Sequence, residues 1–341
     1  MRPEPHMAVG MAALTPDATP SASTRAIAAA GLDHVVLGDH VSFINGAGFD
    51  GLIGATHELA TAPSLRAFVA VYLLPLRHPV LVARQLSSVS ERYPGRLTFG
   101  VGVGGEDPHE FEICGIDPRT RGRRMDESLM LLRELLAGAP VTHHGEFFDV
   151  DDALILPAPQ PAIPIIIGGR SDFALRRAGR LADGWIGIWN SARRFEEATA
   201  VIDDVARTAG RRNVEWQHAM QIWCGIGTDP AAGRAALAPA MEGLYNVPFE
   251  RFERYSPYGS PATIAEFLAP YVAAGCRTFN LLTCAADLDT AVAGVAEIRR
   301  LLDGRQVRGR LHLTGGSTLH HSRPTSEEGA VPSTCSTGSR P

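Results

Sequence analysis

RLTFGVGVGGEDPHEF, residues 96–111, places the spacing G-x-G-x-x-G at Gly100, Gly102 and Gly105 directly on an apolar, strand-like run. Two folds compete for it. As a dinucleotide fingerprint it marks an open, doubly wound sheet; as a barrel strand it marks one rim of a closed ring. The fingerprint needs an apolar helix beginning at its third glycine, so that a pyrophosphate meets the free N–H groups of a helix N-terminus. Here Gly105 runs into Glu106, Asp107, Pro108, His109 and Glu110, so carboxylates would face the phosphates. Pro108, Gly115, Asp117 and Pro118 then postpone the helix, and the run is the fourth strand-like segment rather than the first. The dinucleotide reading fails. The glycines fit a barrel strand whose C-terminal end lets a flat ligand approach the backbone.

Outward from this stretch, β-branched apolar runs alternate with helical periods. Strands are predicted at 6–12, 34–40, 65–74, 96–103, 163–169, 184–189, 215–227 and 278–283, each followed by a helix. The clearest helix carries Met125, Leu129, Leu132 and Leu136 at i, i+4, i+7 and i+11, one face of a 3.6-residue period. THHGEFFDV, 142–150, reads as a structural hairpin, and 243–260 as an insertion before the helix 261–274. Strict alternation means parallel strands with helical crossovers. Eight units without a compositional break favour a (β/α)8 TIM barrel over the doubly wound sheet.

The catalytic barrel is expected over residues 1–302. From 303 to 341 the chain is rich in Gly, Ser, Thr, Pro and Arg, a composition that predicts a disordered tail in which His320 and His321 are incidental. With a formal net charge of -5, the chain lacks the excess of Lys and Arg that marks a nucleic-acid surface. No secretory signal and no membrane span are expected. Five well-separated cysteines, Cys114, Cys224, Cys276, Cys284 and Cys335, predict reduced thiols in the cytoplasm. His57-Glu58 lacks the second histidine of a zinc motif, so no metal is expected.

A barrel builds its active site at the C-terminal strand ends. Asp39-His40 ends the second strand, and a histidine there can exchange a proton beside a redox group; the bland alternative is a capping Asp beside a satisfied His. Gly104, Gly105 and Glu106 end the fourth, with His109 close behind. Gly168-Gly169-Arg170-Ser171 lies between the fifth strand and a helix, where backbone N–H groups, a hydroxyl and a guanidinium converge as a phosphate site. The cluster Arg119, Arg121, Arg123 and Arg124 reads as surface pairing with Asp126 and Glu127. Tyr72, Trp185, Trp189, Trp223 and Tyr245 either line an apolar mouth or belong to the core.

GLDHVVLGDH (31–40), VYLLPLRHPVLVARQLSSVSERYPGRLTFGVGVGG (71–105), RRMDESLMLLRELLAG (123–138) and PIIIGGRSDFALRRAGRLADGWIG (164–187) occur in an order that resembles the bacterial-luciferase-like flavin- or deazaflavin-dependent oxidoreductases. The resemblance covers roughly residues 8–302. It implies a TIM barrel with a late insertion, homodimeric, holding coenzyme F420 or alternatively FMN. By position it implies His40 with Asp39 beside the redox ring, and a non-proline cis bond at Val71–Tyr72 pressing a bulge against the ring. It places Gly168, Gly169 and Arg170 around the phosphate, beside Ser171, and Glu106 and His109 among the polar cofactor contacts, next to the strand end at Gly104 and Gly105. Ile44 stands where some deazaflavin members carry a tryptophan, which points away from a sugar phosphate. The expected activity is deazaflavin-dependent hydride transfer to or from a small organic substrate. The alternatives are an FMNH2-dependent monooxygenase supplied by a separate flavin reductase, and a non-catalytic flavin-binding protein.

Overall fold

The computed structural model describes residues 7–314, apart from Asn45 and Glu106, and side chains as far as Gly304. Eight parallel strands close into a ring: β1 (Ala8–Leu14), β2 (His34–Leu37), β3 (Arg66–Leu73), β4 (Leu97–Gly102), β5 (Ile165–Gly168), β6 (Gly184–Ile188), β7 (Ala219–Ile226) and β8 (Thr278–Cys284). The ring is sealed where β8 runs beside β1 from Ala8↔Thr278 to Leu14↔Cys284, and where Ile186 of β6 lies opposite Ala219 of β7. Every residue of β4 and of β5 is buried, as strands covered on both faces require.

The surrounding helices are α1 (Pro20–Ala29), α2 (Gly51–Thr61), α3 (Pro79–Arg92), α4 (His109–Ile113), α5 (Arg121–Leu136), α6 (Asp172–Leu181), α7 (Ala192–Thr208), α8 (Pro230–Tyr245), α9 (Pro261–Ala273) and α10 (Leu288–Thr314). Side-chain oxygens of Asp50, Ser171, Ser191, Asp229 and Ser260 cap five of them at the N-terminus, fixing where each crossover turns. No described helix is long and apolar enough to cross a membrane. The expected hairpin is present as Val141–His144 against Asp149–Ala153. A second hairpin, His40–Phe43 against Ala47–Phe49, follows β2 and was not apparent in the strand periodicity.

Val36, Phe68, Ala70, Ile166, Ile186 and Ala219 fill the barrel interior. Beneath them His34 Nε2 lies 2.7 Å from Asn280 Oδ1, a polar pair closed off from solvent. Gly10 makes room for it, since a Cβ there would fall 2.2 Å from the His34 ring. Burial lowers the His34 imidazole to about 4.

α10 carries helical backbone past the boundary at 302 that composition suggested. The rest of the expected tail, 315–341, including His320, His321 and Cys335, lies outside the described residues. The other four cysteines are free thiols.

Candidate active site

A cavity of about 800 Å³ opens at the C-terminal strand ends. Its shape follows from one irregularity in β3. Val69 pairs with Phe99 and Tyr72 with Val101, so two residues of β3, Ala70 and Val71, oppose the single Gly100 of β4. This is a bulge, and the Ala70–Val71 peptide within it is cis. The cis bond therefore precedes the expected Val71–Tyr72 position by one residue, because the ladder has already resumed at Tyr72.

The bulge turns Val71 into the barrel mouth and answers the question raised by the glycines. A Cβ on Gly102 would lie 2.5 Å from Val71 Cγ2, one on Gly168 2.7 Å from Val71 Cγ1, and one on Gly100 2.3 Å from the Val69 carbonyl oxygen. These glycines accommodate the neighbouring strand's bulge first, and any ligand only through it. Gly104 (φ +61) and Gly105 (φ +121) then bend the chain away along the cavity wall. Tyr72 leaves the set of expected cofactor contacts. Its ring is 1% exposed, packs 5.2 Å from Phe99 and lies under the Arg77 guanidinium at 4.3 Å.

The side chains of Asp39 and His40 take different partners. Both residues line the cavity, but the Asp39 carboxylate is buried, 2% exposed, and engaged by its own neighbours. It accepts from Arg77 Nη1 (2.6 Å) and Nη2 (2.8 Å), Leu73 N (2.9 Å) and Gly51 N (3.1 Å), tying the ends of β2 and β3 to α2. Burial pushes its carboxyl up from the ordinary value, opposed by Arg77. His40 lines the cavity, its ring 4.2 Å from Phe43. Its Nδ1 lies 3.0 Å from Glu110 Oε2, and Glu110 Oε1 accepts from Val41 N (2.7 Å) and Ser42 N (3.1 Å). Glu110 is 2% exposed. Sequence reading missed it because five residues of α4 are too few to show a period; only the neighbouring Phe111, also buried, hints at the inward face. His109 falls on the other side, its side chain 64% exposed and near Glu112, away from the cavity, so it too leaves the expected contacts. Glu106 lies outside the described residues.

On the opposite wall Gly168, Gly169, Arg170 and Ser171 come together as expected. Ser171 caps α6 by accepting from Ala174 N, Gly169 (φ +130) makes the turn, and Trp185 Nε1 donates to the Gly169 carbonyl at 2.8 Å. Arg170 lies over Trp189, 5.3 Å from its ring centre. Arg121 also reaches the cavity beside Gly105, which corrects its reading as a surface partner of Asp126 or Glu127. Asp126 is instead held by Arg177 at 2.7 Å, and Glu127 accepts from Phe147 N and Phe148 N. A charge run read along one helix does not reveal which arginine its neighbours from α6 displace.

Of the candidate aromatics, Trp189 and Tyr245 line the cavity, joined by Phe43 from the hairpin. Trp189 has φ +52, unusual for so large a residue, and is braced by Tyr245 at 5.2 Å and Phe252 at 4.8 Å. Trp185 and Trp223 belong to the core.

An uncharacterized protein of Mycobacterium tuberculosis is 41% identical over 127 residues, 37% of this chain and 43% of the relative. An F420-dependent glucose-6-phosphate dehydrogenase of Nakamurella multipartita is 35% identical over 156 residues, 45% of this chain and 46% of that protein. The chain thus spans less than half the length of these curated relatives. Among solved structures, an F420-dependent secondary alcohol dehydrogenase superposes with a TM-score of 0.77 at 19% identity, covering 87% of this chain and 99% of the other, a likeness of fold. The model of the luciferase-like monooxygenase family matches residues 21–266. With most of the barrel inside that match, the chain belongs to the luciferase-like monooxygenase family.

Proposed function

We infer that this chain is an oxidoreductase that holds a deazaflavin of the coenzyme F420 type in the rim cavity and passes hydride between it and a small organic substrate. The observation that carries the reading is the opposition, across one cavity, of the His40 imidazole and an anion-binding turn at Gly168–Ser171, with the Val71 bulge between them. The residues suit such a group. A flat ring needs a wall without bulky side chains, which Val71 over Gly102 and Gly168 supplies. An anionic arm needs cations and free N–H groups, which Arg170, Arg121 and the N-terminus of α6 supply. The 35%-identical F420-dependent relative supports the deazaflavin.

When bound, the deazaflavin supplies the hydride donor or acceptor. His40 would hold the accompanying proton, taking it when the substrate is oxidised and returning it when the substrate is reduced. Phe43, Trp189 and Tyr245 keep water from the reacting atoms and suit a substrate with an apolar body.

The family's own description favours a second reading, an FMN-dependent monooxygenase that receives reduced flavin from a separate reductase. Purified protein mixed with F420 or with FMN and passed through gel filtration separates the two. Retention of the F420 spectrum, with turnover independent of oxygen, is the expected result. Retained FMN with product-linked oxygen uptake replaces the first reading with the second, and retention of neither overturns both.

A further inference from the structure

We propose that Glu110 is a positioning residue that fixes the tautomer of His40, so that Nε2 presents its lone pair to the cavity; its place in a reaction rests on the reading of His40 given above. A carboxylate can only accept hydrogen bonds. With Glu110 Oε2 3.0 Å from His40 Nδ1, the neutral ring is favoured with its proton on Nδ1, which leaves Nε2 as the acceptor. The arrangement is over-determined. Glu110 Oε1 is already held by Val41 N and Ser42 N, so the carboxylate cannot swing away without freeing two backbone donors of the hairpin. Other acids nearby do not compete: Asp39 is engaged by Arg77, and Asp107 accepts from Ile44 N at 2.8 Å. The same carboxylate thus anchors the hairpin that carries Phe43 and sets which nitrogen of His40 faces the substrate.

Substitution with glutamine separates the two roles. In Glu110→Gln the fixed donors of Val41 and Ser42 hold the amide oxygen, which turns the amide NH2 toward His40. Nδ1 must then accept, and the proton moves to Nε2. The hairpin survives while the tautomer inverts. Histidine-selective ¹⁵N labelling of the full chain without added cofactor, recorded at alkaline pH with His40→Asn to assign the signal, reads the tautomer directly. The expected result is Nδ1–H in the parent and Nε2–H in Glu110→Gln, with Val41 and Ser42 amide protection kept. Turnover should fall by about 10²–10⁴-fold, while the bound coenzyme is still retained through gel filtration. Nε2–H in the parent, or the same tautomer in both proteins, overturns the proposal. The parent measurement needs neither the variant's folding nor a cofactor. A failure of the deazaflavin reading, seen as no retained spectrum, is therefore distinguishable from a failure of this one.

Discussion

Asp39 and His40 are neighbours in the chain with divergent tasks, and their substitution should separate stability from chemistry. Asp39→Asn removes charge from a carboxylate that receives four hydrogen bonds and leaves Arg77 facing an amide. Arg77 is part-exposed and keeps the Leu73 carbonyl and Asp50, so the loss is about 1–3 kcal/mol, and the urea midpoint should fall. His40→Ala takes one hydrogen bond from the buried Glu110, which keeps two backbone donors, so the midpoint should fall less than in Asp39→Asn while turnover slows by about 10²–10⁴-fold. Equal effects on midpoint and turnover from both variants would contradict this division. His34 gives the pH dependence. Its folded value, about 4, lies below the ordinary 6.5, so between those values the unfolded chain binds a proton that the native state refuses. Stability from this group is complete above about pH 6.5 and declines as pH falls toward about 4, by about 3 kcal/mol in all. The stability difference between the parent and His34→Gln, measured by urea titration at several pH values, should shrink over that window; a constant difference would show that His34 does not titrate as burial dictates. At this scale the sequence revealed residue types but not facing directions. His40, Arg170 and Ser171 were legible because strand ends point to the rim. Glu110, His109 and Tyr72 were not, because a five-residue helix and a bulge each reset the direction of side chains.

The bulge in β3 and the glycines of β4 and β5 form one packing unit shared by three strands. Gly168→Ala alone would set a Cβ 2.7 Å from Val71 Cγ1, and overpacking of that kind costs about 1–3 kcal/mol. Val71→Ala removes the obstructing methyl groups, so the double variant should recover most of the loss, whereas independent sites would give additive losses. Urea denaturation of the four proteins in the cycle measures the coupling, and additive losses would mean that Val71 and Gly168 do not share this space. The alternation of eight apolar runs with helical periods made the barrel itself legible, since every expected strand is present within a few residues of its place. The hairpin at His40–Phe49 escaped because its strands are short and partly polar, and the bulge escaped because a ladder irregularity leaves no mark on hydrophobic alternation. The glycine spacing at 100–105 illustrates the point: identical letters serve a phosphate in one fold and a neighbouring strand's side chain in another.

Closure of the ring governs how the whole barrel responds to a ligand. Each strand has two parallel neighbours, so no edge is available at which one half could fray while the other persists. The cavity draws His40 and Val71 from the first half of the ring, and Arg170, Trp189 and Tyr245 from the second, so a ligand filling it bridges both. All four tryptophans, Trp185, Trp189, Trp216 and Trp223, lie in the second half, which makes tryptophan emission a local probe and far-UV circular dichroism a global one. In urea the two should report one transition. Coenzyme at about 100 times its dissociation constant should then raise both by the same amount, about 2.7 kcal/mol from linkage alone. If emission changed at lower urea than the dichroism, or if only emission responded to the coenzyme, the second half would be opening by itself. The ligand would then be held by the Gly168–Ser171 wall without His40, which would contradict the proposed proton exchange there.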